Sequence, residues 1–230
     1  MRFLEATSVG VEYGQIYVMD GTTTWSDPIS SIGGQRNGLC GARWPGALVL
    51  ITGLHTGQVL FTVNVDETAP PIDDSWEDIV EVSYVPGTDE VSLVEMNGNA
   101  SYPIPLTPGR SYRVRYHASG MDSAQGQFPD ENELAGDRYL LSFWPAPPTD
   151  DAILKQTSEY AAYWHRTAAE MSAPPTRSRS LRRNDSRRPG LTGRYRSRRC
   201  CSGGASVRRP NANGRRSRAT SSGWSDWTGG

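Results

Sequence analysis

Between Ser111 and Ser119 apolar and polar residues alternate strictly, with Tyr112, Val114 and Tyr116 on one side and Arg113, Arg115 and His117 on the other. A period of two is the mark of a strand with two different faces. The same alternation runs through Val59–Val65, where Val59, Phe61, Val63 and Val65 share a face. It recurs over Ile79–Val85, where Val80, Val82 and Tyr84 face inward and Glu81 and Ser83 outward. Ala47–Thr52 is an unbroken apolar run, as expected of a central strand covered on both faces. Val91–Met96 and Tyr102–Leu106 flank Asn97-Gly98-Asn99, a hairpin signal because Asn and Gly tolerate the positive φ of a tight turn. Val9–Met19 reads as one strand with a bulge at Gly14, and Asp137–Trp144 as the last strand, ended by Pro145, Pro147 and Pro148. Gly53–Gly57 suits a hairpin loop between the second and third of these strands.

Two segments break the pattern. Thr22–Trp44 has no period and is rich in Gly, Pro and Ser, so it predicts a long loop and a candidate functional surface. After the proline cluster, Ile153, Thr157, Tyr160, Ala161 and Trp164 fall near helical spacing, which predicts a helix over Asp151–Ala169 capped by Thr149 or Asp150. Eight short strands with no alternating helices predict an all-β protein: an antiparallel β-sandwich with one C-terminal helix.

Charge divides the chain in two. Residues 1–170 carry 9 Lys and Arg against 23 Asp and Glu, a net of −14, while residues 171–230 carry 15 Arg against 2 Asp, a net of +13; together they give the chain's −1. The first part is an acidic domain, repelled by phosphate backbones and anionic membrane surfaces and attracted to basic patches. The second has almost no aliphatic residues and is expected to be disordered. Its Arg, Ser, Gly and Pro, with no lysine, glutamate or isoleucine, fit two readings: a shifted reading frame of a GC-rich gene, or a tail that binds nucleic acid by counterion release. Cys40 stands alone in the domain and Cys200 and Cys201 are adjacent in the tail, so neither a disulfide framework nor a zinc spacing is present. With no long apolar window and no charged leader, the expectation is a cytoplasmic protein with no membrane segment and no cofactor.

Candidate chemistry is sparse. His55, His117 and His165 fall on a turn, a strand and the helix, and no catalytic or metal-binding spacing links them, so no catalytic or metal residue is assigned. A pocket using His55 or His117, for a small ligand or for hydrolysis, is the alternative function. Arg113 and Arg115 form a small basic strip that a cross-strand Glu81 would satisfy. The densest acidic stretch is Pro70–Glu81. Its Asp73, Asp74, Trp76, Glu77 and Asp78 are the candidate partner-binding residues, four carboxylates with an aromatic anchor; the competing expectation is a solvated loop whose Trp76 packs on the sheet. Asp130, Glu131, Glu133 and Asp137 form a second acidic group.

Four segments, Val11-Glu-Tyr-Gly-Gln-Ile-Tyr-Val, Trp76-Glu-Asp-Ile-Val-Glu-Val-Ser, Leu106-Thr-Pro-Gly-Arg-Ser-Tyr-Arg-Val-Arg-Tyr and Asp137-Arg-Tyr-Leu-Leu-Ser-Phe-Trp-Pro-Ala, follow one another in an order and spacing that resembles the competence protein J family and a group of uncharacterised actinobacterial proteins. The resemblance runs over Val9–Pro148. It implies a non-enzymatic protein that inhibits a DNA-entry nuclease. Joined to the charge, it makes the expected function that of an inhibitor or immunity-type factor whose partner is a protein with a basic surface.

Overall fold

The computed structural model describes residues 2–23, 27–96, 98–129 and 133–173. Within them the chain forms β1 (Arg2–Val11), β2 (Gln15–Met19), β3 (Cys40–Gly41), β4 (Ala47–Ile51), β5 (Gly57–Val65), β6 (Asp78–Tyr84), β7 (Ser92–Glu95), β8 (Ser101–Pro103), β9 (Tyr112–Ser119), α1 (Met121–Ala124), β10 (Leu134–Pro145), β11 (Ala152–Lys155) and α2 (Glu159–Glu170). Two sheets result: six strands in the order β1-β5-β10-β9-β6-β11, and five in the order β3-β4-β2-β7-β8. The architecture is the β-rich sandwich expected, with an N-capped C-terminal helix. All pairings are antiparallel except β5 with β10. A parallel neighbour needs a long return connection, and β6 to β9 lie within it.

The core follows from the alternation. Val59, Phe61 and Val63 of β5, Tyr139, Leu141 and Phe143 of β10, Val114 and Tyr116 of β9, and Val80 and Val82 of β6 are buried together. Ile16, Val18, Leu48 and Leu50 join them from the smaller sheet. Phe61, Tyr116 and Tyr139 stack, the two tyrosine rings 5.7 Å apart, and Tyr116 donates its hydroxyl to the Ile51 carbonyl at 3.0 Å, joining the two sheets.

Three sequence expectations are corrected. Val9–Met19 is two strands in different sheets, not one: Tyr13 and Gly14 take φ of 52° and 66°, and the corner so made is held by Gly14 N–H on the His55 carbonyl at 2.8 Å. Gly53–Gly57 is not a hairpin loop, because β4 and β5 also lie in different sheets. The residues before β5 bind β10 instead. Gly53 N–H reaches the Tyr139 hydroxyl at 2.7 Å and Leu54 N–H the Asp137 carboxylate at 3.0 Å. Finally, residues 152–155 are the edge strand β11, paired to β6, and the helix begins only at Glu159 behind the cap Ser158.

Thr22–Trp44 contains a 3-10 turn (Pro28–Ile32) and β3, and much of it is buried. The edge of β1 is closed by the β7–β8 hairpin: Gly10 N–H donates to the Glu95 carboxylate at 2.8 Å, and the Tyr102 hydroxyl lies 3.4 Å from both that carboxylate and the Ser8 carbonyl. Side chains that occupy edge groups keep a sheet from pairing with another chain. The arginine-rich stretch and Cys200 and Cys201 lie outside the described residues.

Candidate functional site

The acidic connection from β5 to β6 crosses the outer face of the larger sheet, on the side carrying Arg113, Arg115, His117 and Arg138. Trp76 is its anchor. The ring is buried, with the Arg138 guanidinium 4.5 Å from its centroid and the His117 ring 5.4 Å away. Arg138 is itself exposed, where a cation over an indole face contributes about 0.5–1 kcal/mol, and together with the burial of the ring this contact fixes one end of the segment. Arg115 fixes its middle, donating to the Pro70 carbonyl at 2.8 Å, and Pro70-Pro71 restricts the backbone there. Lys155, the chain's only lysine, donates to the Asp74 carbonyl at 2.7 Å from β11. Asp73 closes a local turn by accepting Ser75 N–H at 2.9 Å.

The five candidate residues therefore separate by role. Asp73 and Asp74 are exposed, as are Ile72 next to them and Glu67 earlier in the same connection. Hydrogen bonds from the Ser75 hydroxyl and amide hold the Asp73 carboxyl below its usual range, so it stays ionised. Trp76 packs inward. Glu77 is half-buried, with one carboxylate oxygen accepting Gly120 N–H at 2.8 Å. Asp78 is fully buried and is corrected from a partner contact to a structural group: it accepts Thr157 N–H at 2.8 Å, Ser158 N–H at 3.2 Å and the Ser158 hydroxyl at 2.6 Å. Its carboxylate sits where the positive end of α2 favours a negative charge. The sequence held the signal, since the alternation that buries Val80, Val82 and Tyr84 buries Asp78 when carried back one step. Arg138 and Lys155, by contrast, gave no signal, because their contacts are long-range.

Beneath the loop, Glu81 receives Arg113 Nε at 2.9 Å on one oxygen and Arg115 Nε at 2.8 Å on the other. Arg115 also lies over the Trp144 ring at 5.1 Å. These buried cations are therefore committed to the scaffold, and every charged side chain facing solvent from the loop is acidic.

The imidazoles do not converge. His55 is exposed on its turn, with Nδ1 2.9 Å from the Thr56 hydroxyl. His117 is buried under Trp76, its Nδ1 donating to the Leu140 carbonyl at 3.2 Å. His165 lies in α2 against Gly38. In the second acidic group, Asp137 is buried and accepts Leu54 N–H and the Tyr139 hydroxyl, with its carboxyl pushed up by burial. Asp130 and Glu131 lie outside the described residues. Among the described residues no group of three or more His, Cys, Asp or Glu is placed to hold a metal, and no helix is long and apolar enough to cross a membrane.

Burial pushes His117 down from its ordinary value of 6.5 to about 4. The folded state thus disfavours the charged ring, so the stability this residue contributes is complete above about pH 6.5 and is lost as the pH falls towards 4. At about 1.4 kcal/mol per unit the loss is about 3 kcal/mol. Urea unfolding across that window should show it, and His117→Phe should make the acid limb shallower.

Fold and site together define a two-sheet β-domain that carries an acidic loop anchored to its larger sheet. No protein-family model matches the chain, and no curated protein matches it. Among solved structures it is similar to ComJ from Bacillus subtilis, described as the inhibitor of the DNA degrading activity of NucA, with a TM-score of 0.41 and 17% identity over 64% of this chain and 99% of that one. It is similar as well to a protein described as crocagin biosynthetic gene J, with a TM-score of 0.40 and 11% identity over the same shares.

Proposed function

We propose that this domain binds another protein, acting as an inhibitor or immunity-type factor that sets its acidic loop into a cationic cleft, and that a nuclease is the partner. One observation carries the reading. The loop that exposes Glu67, Asp73 and Asp74 is tied to the sheet at three points, by Trp76, Arg115 and Lys155. Ordering a loop before association removes part of the entropic cost of binding. A loop held only by solvent would bear that cost in full. Carboxylates on such a loop stand where a nucleic acid would place phosphates, and Ile72 between them adds an apolar contact. The net charge of −14 steers the domain towards cationic surfaces. The nuclease as partner follows from the charge together with the resemblance to the competence protein J family.

The contacts proposed are Asp73 and Asp74 with Ile72 next to them and Glu67 in the same connection, and Glu77 at the margin; Trp76, buried beneath Arg138, holds the loop and does not meet the partner. Asp78 takes no part. The test is neutralisation of the three exposed acids in the full chain by Glu67→Gln, Asp73→Asn and Asp74→Asn, which leaves Trp76, Arg115 and Lys155 in place. Binding should weaken while folding is unchanged.

A further inference from the structure

Helix α2 lies backbone to backbone on the glycine-rich segment 33–38. A Cβ on Gly38 would stand 2.0 Å from the Trp164 carbonyl oxygen, and one on Gly33 would stand 2.4 Å from that of Ser172, so glycine alone allows the approach. Two hydrogen bonds close the contact. Gly34 N–H donates to the Ala168 carbonyl at 2.9 Å, and Gly38 N–H donates to His165 Nδ1 at 2.9 Å. The second bond fixes the chemistry of the ring. An Nδ1 that accepts a hydrogen bond bears no hydrogen of its own, so the neutral imidazole carries its hydrogen on Nε2, which is buried and has no hydrogen-bond partner.

We infer that His165 is an acid-sensitive latch: protonation converts the nitrogen that receives the Gly38 amide into a donor, setting two N–H groups against each other and releasing α2 from segment 33–38. The proton comes from solvent and goes to Nδ1; no other bond changes. The charged groups facing the imidazole are Asp78 on β6 and Asp151 ahead of β11. Both favour the charged ring, but each is already engaged, Asp78 by residues 157 and 158, and Asp151 by the Arg36 and Asn37 N–H groups at 2.7 Å each. Burial outweighs them and holds the imidazole below its ordinary range. The sign follows: the latch is closed above the ordinary value of about 6.5 and opens as the pH falls below it. The device is separate from the acidic loop and does not depend on the partner proposed above.

Amide hydrogen exchange on the full chain at about pH 7 and about pH 5, corrected for intrinsic rates, reads the latch directly. Protection at Gly34, Gly38 and the second half of α2 should drop at least about tenfold more than at the centre of β9, a difference of about 1.4 kcal/mol. His165→Gln, which keeps an acceptor and does not titrate, should abolish that extra drop. Nitrogen shifts of the wild-type ring supply a second reading should the variant fold poorly: the Nε2–H form should give way to the doubly protonated ring as the Gly38 amide loses protection. A Gly38 amide that stays protected while His165 becomes protonated, or an equal drop in the variant, would overturn the inference.

Discussion

Glu81→Ala is expected to destabilise the domain by about 3–5 kcal/mol, the usual cost of removing one partner from a buried ion pair. The carboxylate is the shared acceptor of two guanidinium groups, and all three side chains are nearly enclosed, at 13% exposure for Glu81, 8% for Arg113 and 6% for Arg115. Without it two buried cations keep only neutral acceptors: the Ser83 hydroxyl and Thr149 carbonyl for Arg113, and the Pro70 carbonyl for Arg115. Leaving a charge unpaired costs far more than the pair gains over an apolar replacement. A triple variant, Glu81→Met with Arg113→Met and Arg115→Met, should therefore recover most of the loss. Urea midpoints of the single and triple variants decide this; equal losses in both would show that packing, not charge, dominates at the site. The triple variant also removes the Arg115 bond to the loop, so its partner binding should stay impaired after its stability returns.

Asp78→Ala should cost about 3 kcal/mol or more, since it strips acceptors from two backbone N–H groups and a hydroxyl at the buried start of α2, each worth about 1–3 kcal/mol when left unsatisfied. Asp122 partly offsets the loss by accepting Glu159 N–H and Tyr160 N–H at 2.9 Å each, and Ser158 Oγ still accepts Ala161 N–H at 3.1 Å. The helix should therefore fray at its first turn while its later turns persist. Asp78→Asn retains one acceptor oxygen and should lose less, about 1–2 kcal/mol. The measurement is urea unfolding followed by the far-ultraviolet helical signal. An Asp78→Ala chain as stable as wild type would show that these three hydrogen bonds contribute nothing net at the start of α2.

Much of the larger sheet was legible because its strands have two unlike faces. In β9 one face meets the core and the other meets Trp76, Trp144 and Glu81, so the period of two survives even though every residue is buried. The same strictness lets the sequence alone match Arg113 and Arg115 to Glu81. Connections between sheets were not legible. The corner at Tyr13-Gly14 looks like a bulge in sequence, and nothing local tells whether a strand continues beside its predecessor or crosses to face it. The sequence of β11 predicts helix because Ile153 and Thr157 continue the spacing of α2, and four residues are too few for a strand period to oppose it; pairing with β6 overrides the local pattern. At the acidic loop, sequence marked the carboxylates but not the clamps. Arg138 and Lys155 lie 62 and 81 residues from the positions they hold, and only the fold makes them neighbours.

The proposed mode of binding makes a demand on salt. Exposed carboxylates act through long-range steering and rim contacts, each worth up to about 1 kcal/mol, and such contributions fade as the screening length falls from about 30 Å at 0.01 M to about 3 Å at 1 M. Apolar contact from Ile72 does not fade in this way.

The decisive measurement is the association rate and affinity of the purified full chain for its co-purified basic partner across that ionic range, with the Glu67→Gln, Asp73→Asn, Asp74→Asn chain run beside it. Wild type should bind at least about tenfold more tightly than the variant at low salt, with the difference mainly in the association rate and closing as salt rises. Equal affinity and an equal salt slope for the two chains would mean that the partner engages some other face of the domain.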